Sequence, residues 1–371
     1  MKITAIKTIV LEAPLAHPIM DARFKIEKRR AVLVLVETDA GIVGLGEAAC
    51  FGGPPSITAQ VIVDELAPLL MGKDPLMIEQ LWQFLYYQTG HHGRHGIVIS
   101  ALSGIDIALW DILGKVCGQP LYKLLGAATD RIPAYASGGY YQENKSLEDL
   151  VNEVQGFVQD GFTGVKIKIG RFGPEDDLAR VNAVRNAIGA DIKLMVDANN
   201  ALSLDYALHV ARLIEAYHIY WFEEPVYPDY LDICQEMAHK SRIPIAGYEI
   251  QYTRFGFLPF IQRRLVSIVQ PDVTWSGGIT ECRRIAALAT TWGIRCIPHA
   301  FSSVVTLTAN LHFAASIPGE TWIEFDQTPN PLRTELAGIS LQREGGFVLL
   351  PDRPGLGIEL NPDVLEQYRL H

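Results

Sequence analysis

The 371-residue sequence predicts an α/β fold: a (β/α)8-type barrel, a modified TIM barrel, capped by an α+β N-terminal domain that the C-terminal tail completes. Three observations predict it. From Pro133 onward, eight short apolar runs alternate with amphipathic stretches of helical length, at the interval of one strand–helix unit. Almost every run ends in a charged or polar residue. The chain before that point has a different texture, strands and a hairpin followed by helices.

In chain order, residues 2–11 alternate like a strand and residues 31–37 (AVLVLVE) form a second. The TDAG turn at 38–41 then leads into IVGLGEA as a hairpin. Helical patterns follow near 56–70, 75–88 and 96–117. The pattern breaks near 125–132 (LLGAATDRIP), which sets a cap over 1–128, a barrel over 129–339 and a returning tail over 340–371. The barrel runs are PAYASG (133–138), GVKIKIG (164–170), IKLMVDAN (192–199), YWFEEP (220–225), PIAGYE (244–249), SIVQPD (267–272), IRCIPH (294–299) and TWIEF (321–325). The tail carries a Gly-Gly turn and strand-like pieces after the eight units are complete, which assigns it to the cap.

Composition narrows the function. Hydrophobic residues make up 49% and charged residues 20%, so a sizeable core is possible and global disorder is excluded. The net charge, 32 − 42 = −10, argues against nucleic acid or an anionic membrane as partner. Cys50, Cys117, Cys234, Cys282 and Cys296 are odd in number and scattered, with no CxxC pair. Neither a disulfide framework nor a zinc knuckle is signalled, and a reducing compartment fits. The N-terminus lacks a stretch of signal-peptide type and no apolar run approaches a membrane span, so a soluble, cytoplasmic protein is expected.

The strand ends carry the chemical signal. Strands buried on both faces are nearly all apolar, yet here they end in Lys168, Asp197, Glu223, Glu249, Asp272, His299 and Glu324, separated by 29, 26, 26, 23, 27 and 25 residues. One polar residue per unit places them in one ring at the barrel rim, where barrel enzymes carry their chemistry. Asp197, Glu223 and Glu249 on successive strands cannot all stay ionised without a counter-charge. An all-oxygen set favours one Mg²⁺. Lys166 and Lys168 share a strand face opposite Val165, Ile167 and Ile169, so both point into the barrel. Two neighbouring ammonium groups depress each other's pKa, which makes one a usable base. Asp272 beside His299 fixes the imidazole tautomer. No lysine follows Lys240, so strand six supplies no lysine base.

The charges nearly balance: three acids contribute −3, and a divalent ion with two lysines +4, leaving about one positive charge for a substrate carboxylate. The arrangement points to proton abstraction beside that carboxylate, with the enediolate held by Mg²⁺ and Lys166 and, if Glu324 is protonated, a hydrogen bond from it. Asn199 shares its strand face with Asp197 and is expected at the metal or substrate. Arg23 and Tyr140 are further substrate-binding candidates. Loops 16–26 and 50–55 of the cap are expected over the barrel mouth. Gly41, Gly44 and Gly46 superficially suggest a dinucleotide loop, but they follow a hairpin turn and read as turn glycines. His91, His92 and His95 lack a carboxylate partner by spacing and read as a solvated loop, from which Arg94 still has the reach to face substrate.

The stretches SALSGIDIALWDILGK (100–115), VKIKIG, MVDAN, WFEEP, QPDVTWSGGIT and IPH together resemble the enolase superfamily, mandelate racemase subgroup, over nearly the whole chain. The resemblance implies that Asp197, Glu223 and Glu249 bind Mg²⁺. It further implies that Lys168 is the base on one face with Lys166 at the substrate carboxylate, that His299 paired with Asp272 acts on the other face, and that Glu324 stabilises the enediolate. The absent late lysine separates the chain from the muconate-cycloisomerase branch. EFDQTPNPLR and PDRPGLGIELNPD resemble acid-sugar dehydratases and galactaro-lactone cycloisomerases. Gly247-Tyr248-Glu249-Ile250 departs from the usual GGEN-like motif, and the phenol and Ile250 are expected to reshape the nearby pocket. The implied activity is dehydration of an acid sugar to a 2-keto-3-deoxy acid. Cycloisomerisation of a lactone, racemisation or epimerisation, and a non-catalytic metal-binding barrel are the alternatives. The implied partner is a small carboxylate, within a homo-oligomer.

Overall fold

The computed structural model describes residues 1–338 and 341–370. Three antiparallel strands open the chain: β1 (Ile3–Met20), β2 (Lys25–Thr38) and β3 (Val43–Ala48), in the order β1-β2-β3. Central β2 is buried on both faces because its alternate residues serve two cores. Val32, Val34 and Val36 pack with Ile62, Leu66, Leu102 and Ile105 of the cap helices, whereas Ala31 and Leu33 join the barrel core. Residues 16–26, expected as a loop, are mostly strand: β1 and β2 continue through them, leaving only a tight turn. Asp21 Oδ1 shapes that turn by accepting from the amides of Arg23 and Phe24, both at 2.7 Å.

The cap helices match their expected places, with the main one at Ile97–Cys117. This 21-residue helix is long and apolar enough by composition to cross a membrane, unlike the sequence expectation that no run approaches that length. It is nevertheless a core helix, with 83% of its most apolar window inside the protein. Gly44 and Gly46 are not turn glycines. They lie within β3, where a Cβ would stand 2.2 Å from Ala108 O and 2.0 Å from Gly104 O, so they let this helix backbone touch the sheet. Of the three, Gly41 alone sits in the turn, at φ +75°.

Eight parallel strands then alternate with helices: β4 (Arg131–Ser137), β5 (Gly164–Lys168), β6 (Lys193–Asp197), β7 (Ile219–Glu223), β8 (Ile245–Gly247), β9 (Ile268–Val269), β10 (Arg295–Cys296) and β11 (Ile323–Asp326). Each falls within its predicted run or overlaps it. β4 to β10 pair in sequence order and β11 pairs with β4. Between β10 and β11 no ladder forms among the described residues; Thr321 Oγ1 donates to Cys296 O there at 3.1 Å.

The tail first adds a hairpin, β12 (Arg343–Glu344) and β13 (Phe347–Leu349), antiparallel to β4. It then reaches the cap. Leu356 N–H donates to Asp111 Oδ1 at 2.8 Å, and Leu370 N–H donates to Val10 O of β1 at 2.9 Å. The expected boundary at 339/340 lies outside the described residues.

Candidate active site

Strand periodicity builds the site in layers. Tyr135, Met195, Trp221, Ala246, Ile268, Ile297 and Trp322 form one apolar cluster inside the barrel. Two residues further along the same segments come Ser137, Asp197, Glu223, Gln270, His299 and Glu324, all buried and polar. Lys166 and Lys168 enter from β5, while Val165, Ile167 and Ile169 face the outer core, as the alternation requires. An apolar plug therefore floors a polar ring.

The ring is densely connected. Lys166 Nζ pairs with Glu223, lies 2.8 Å from Glu324 Oε1 and 3.7 Å from Asp197 Oδ2. Lys168 Nζ lies 2.5 Å from Asp197 Oδ2 and 5.0 Å from the centre of the Tyr140 ring. Across the ring, His299 Nδ1 is 2.9 Å from Asp272 Oδ2, and His299 Nε2 is 3.1 Å from Glu249 Oε2. Trp275 stacks on His299 with ring centres 5.9 Å apart. Glu223 Oε2 accepts from Trp221 Nε1 and Gln270 Nε2, both at 2.9 Å.

Burial and charge compete at every group. Burial alone would lower His299, but Glu249 and the Asp272 hydrogen bond raise it to about 10. Burial would also lower Lys166 and Lys168. Glu223 and Glu324 for the first, and Asp197 for the second, hold both well above the usual amine range. The sequence expectation of mutually depressed lysines is therefore reversed in this structure: the acids around the pair outweigh the repulsion between the two ammonium groups. Burial pushes Glu249 up, with His299 opposing.

A cavity of about 330 Å³ opens over the ring. Lys166, Lys168, Asn199, Glu249, His299 and Glu324 line it, together with the candidates Arg23 and Tyr140. From the cap come Phe24, Phe51 and Ile57, placing both expected cap segments over the mouth. A second cavity of about 540 Å³ shares Phe24, Phe51, Trp275 and Phe301 with it and also reaches Asp272 and His299. Arg23 is exposed, its guanidinium over the rings of Phe24 (5.0 Å) and Tyr227 (5.2 Å). Ile250 lines the cavity, but Tyr248 does not: its phenol donates to Cys234 Sγ at 3.5 Å and packs on Phe260 in the outer core. His92 does have a carboxylate partner, Glu65, at 2.6 Å; sequence spacing hid it because the two are 27 residues apart. Arg94 lines a separate surface hollow with Tyr86 and Phe255.

Sequence reasoning missed Gln270 and Glu224. Counting by two from the plug residue Ile268 finds Gln270, one register step before Asp272. Glu224, the second acid of WFEEP, is buried; its Oε2 accepts from Asn200 Nδ2 at 2.6 Å and its Oε1 from the Glu249 amide at 3.2 Å. The doubled glutamate was the available signal.

The donors suit a hard cation in type. Asp197 and Glu223 are register partners on β6 and β7, and Asn199 Oδ1 is buried without a hydrogen-bond partner beside them. The Lys166 ammonium lies against both carboxylates, and Glu249 pairs with His299. Among the described residues, no three His, Cys, Asp or Glu side chains stand in a ready metal-binding group.

A capped barrel with two lysines and a His–Asp pair facing one acid-rich cavity is the arrangement of an enzyme active site. Residues 149–364 match the model of the enolase C-terminal domain-like family, and residues 5–126 that of the mandelate racemase/muconate lactonizing enzyme N-terminal domain. The chain belongs to this family, the mandelate racemase-like branch of the enolase superfamily. It is 42% identical to an arabinonate dehydratase of Saccharolobus solfataricus over 90% of this chain and 89% of that one. It is 39% identical to a D-galactarolactone cycloisomerase of Agrobacterium fabrum over 100% of this chain and 99% of that one. Among solved structures, a racemase from Streptomyces coelicolor with bound magnesium superposes with a TM-score of 0.92 at 30% identity, over 99% of this chain and 100% of that one.

Proposed function

We propose that this chain is a Mg²⁺-dependent acid-sugar dehydratase. The observation that carries the reading is the placement of Lys168 and the Asp272-held His299 at the two sides of one buried acid ring. Asp197, Glu223 and Glu249 are the residues that would hold Mg²⁺. The ion would supply positive charge to the substrate carboxylate and offset the acids that keep the lysines charged.

The chain's own groups account for the remaining steps. Lys168 takes the α-proton, and the electron pair moves into the carboxylate as an enediolate. Lys166 faces that developing charge. Burial would raise the Glu324 carboxyl, but Lys166 and His299 hold it below its ordinary value, so contrary to the sequence expectation it acts by anchoring the Lys166 ammonium at 2.8 Å and does not donate a hydrogen bond. His299, held by Asp272 at Nδ1, gives its Nε2 proton to the β-hydroxyl, which leaves as water while the C–O bond breaks. The enol then tautomerises to a 2-keto-3-deoxy acid. Asn199, Tyr140 and Arg23 bind the hydroxyls or the distal end. The relationship to the galactarolactone cycloisomerase supports a second reading, in which the leaving atom is a lactone ring oxygen. The five cysteines are free, which supports a reducing, cytoplasmic setting.

The test is a panel of pentonates, hexonates, hexarates and their lactones, run with Mg²⁺ and in D₂O. Dehydration predicts a 2-keto-3-deoxy acid; cycloisomerisation predicts an open-chain product from lactone only. Absence of both product and α-deuterium across the panel would overturn the enzyme reading.

A further inference from the structure

Asp272 has two carboxylate oxygens with separate tasks. Oδ2 meets His299 Nδ1 at 2.9 Å. Oδ1 never faces the histidine; it accepts three hydrogen bonds, from Thr274 N–H (2.8 Å), Thr274 Oγ1 (2.8 Å) and Asn310 Nδ2 (3.0 Å). The two Thr274 bonds come from the same loop as Asp272 itself. Asn310 comes from elsewhere, the buried helix Val304–Ala315 that follows β10.

The Asn310 amide cannot be read the other way round. Its Oδ1 accepts from Val273 N–H at 3.1 Å, and its Nδ2 donates both to Asp272 Oδ1 and to Thr306 O at 3.1 Å. With both ends committed and the side chain fully buried, the amide grips the loop at two consecutive residues, by backbone at Val273 and by side chain at Asp272. A buried asparagine in mid-helix costs helix propensity and desolvation. Here its hydrogen bonds to Val273, Asp272 and Thr306 offset that cost, and the one to Asp272 Oδ1 leaves Oδ2 at the imidazole.

We propose that Asn310 is a positioning residue for the Asp272–His299 pair: it sets the carboxylate orientation that holds the imidazole with Nε2 toward the cavity. The proposal rests on the reading of His299 as the acid–base group, and its test separates the two.

The full-length chain is prepared with Mg²⁺ as wild type and as Asn310→Leu, Asn310→Asp, Thr274→Val, Asp272→Asn, His299→Asn and the Asp272→Asn/Asn310→Leu double variant. Asn310→Asp keeps the volume and the acceptor for Val273 N–H but sets an acceptor where the donor to Asp272 stood, so it serves if Asn310→Leu does not fold. The first readout needs no substrate: selective ¹⁵N-histidine NMR follows the low-field Nδ1–H resonance of His299, identified by its loss in His299→Asn. It is expected to move or broaden in both Asn310 variants and less in Thr274→Val, which retains the Thr274 amide. An unmoved resonance overturns the proposal.

The second readout is turnover of whichever panel acid the wild type converts. Asn310 variants are expected to lower kcat about 100-fold, with KM changed less than about threefold. The double variant should be no slower than Asp272→Asn alone, because both act through one group. Fully additive losses, or unchanged kcat, overturn the proposal. A resonance that shifts in the Asn310 variants while the wild type converts no acid supports the positioning role and defeats the catalytic reading instead.

Discussion

Asp197 and Glu223 stand opposite each other in the register of β6 and β7, yet their surroundings drive the two carboxyls apart. Burial pushes both up. At Asp197, Lys168 and Lys166 outweigh it and hold the group below its ordinary value. At Glu223, Lys166 opposes burial but Asp197 and Glu324 add to it, and the group rises. A shared divalent cation would relieve Glu223 and take over the counter-charge that the lysines supply to Asp197. Mg²⁺ is accordingly expected to raise the unfolding temperature, adding about 2.7 kcal/mol at a hundredfold excess over Kd. Scanning fluorimetry with Mg²⁺ and with chelator measures it; a shift that survives in both Asp197→Asn and Glu249→Gln would remove the metal assignment.

Lys168 and His299 are expected to fail differently. Lys168→Ala should abolish α-deuterium incorporation together with product. His299→Asn should lose product about 100-fold or more while the Lys168-side exchange persists. Circular dichroism should show both folded. Wild-type rates in both variants would eliminate the proposed acid and base.

His312 makes a prediction about stability and pH. It is buried between segments distant in sequence: its Nδ1 accepts from Tyr122 N–H at 3.1 Å and its Nε2 lies 3.1 Å from Leu356 O of the tail. Burial lowers its pKa to about 4, with the Leu356 bond opposing. A proton on Nδ1 would meet the Tyr122 N–H it now accepts from. Because the folded-state value lies below the unfolded one, this contribution is complete above pH 6.5 and is lost as pH falls toward 4. The loss amounts to roughly 3 kcal/mol. Denaturant titrations at several pH values should show His312→Gln losing that much less than wild type over the same interval; equal slopes would contradict the prediction.

The glycine after WSG locks the cap to the barrel. Gly278 adopts φ +83°, and a Cβ there would lie 2.2 Å from Asp106 Oδ2, which accepts from Thr280 N–H at 3.0 Å. Gly278→Ala is expected to cost about 3 kcal/mol or more by chemical denaturation. Gly41→Ala, with positive φ but open space, should cost about 1 kcal/mol. Equal costs would show that backbone strain alone matters.

The linear sequence determined the barrel and the identity of most rim residues. Strand burial leaves only the C-terminal ends free to be polar, so one charge per repeat marks the rim without any coordinates. Shared faces and adjacent strand ends were legible too, as with Lys166 and Lys168 on β5 and the Asp272–His299 pair, but the charge state of the two lysines was not. Tertiary structure decided everything set by proximity between repeats: that the acids hold both lysines charged, that Tyr248 turns into the outer core, that Gln270 joins the ring, and that Asn310 grips Asp272 from a helix 38 residues away. These depend on distances of a few ångströms between segments far apart in sequence. Periodicity fixes the face on which a side chain stands but leaves open what it meets there.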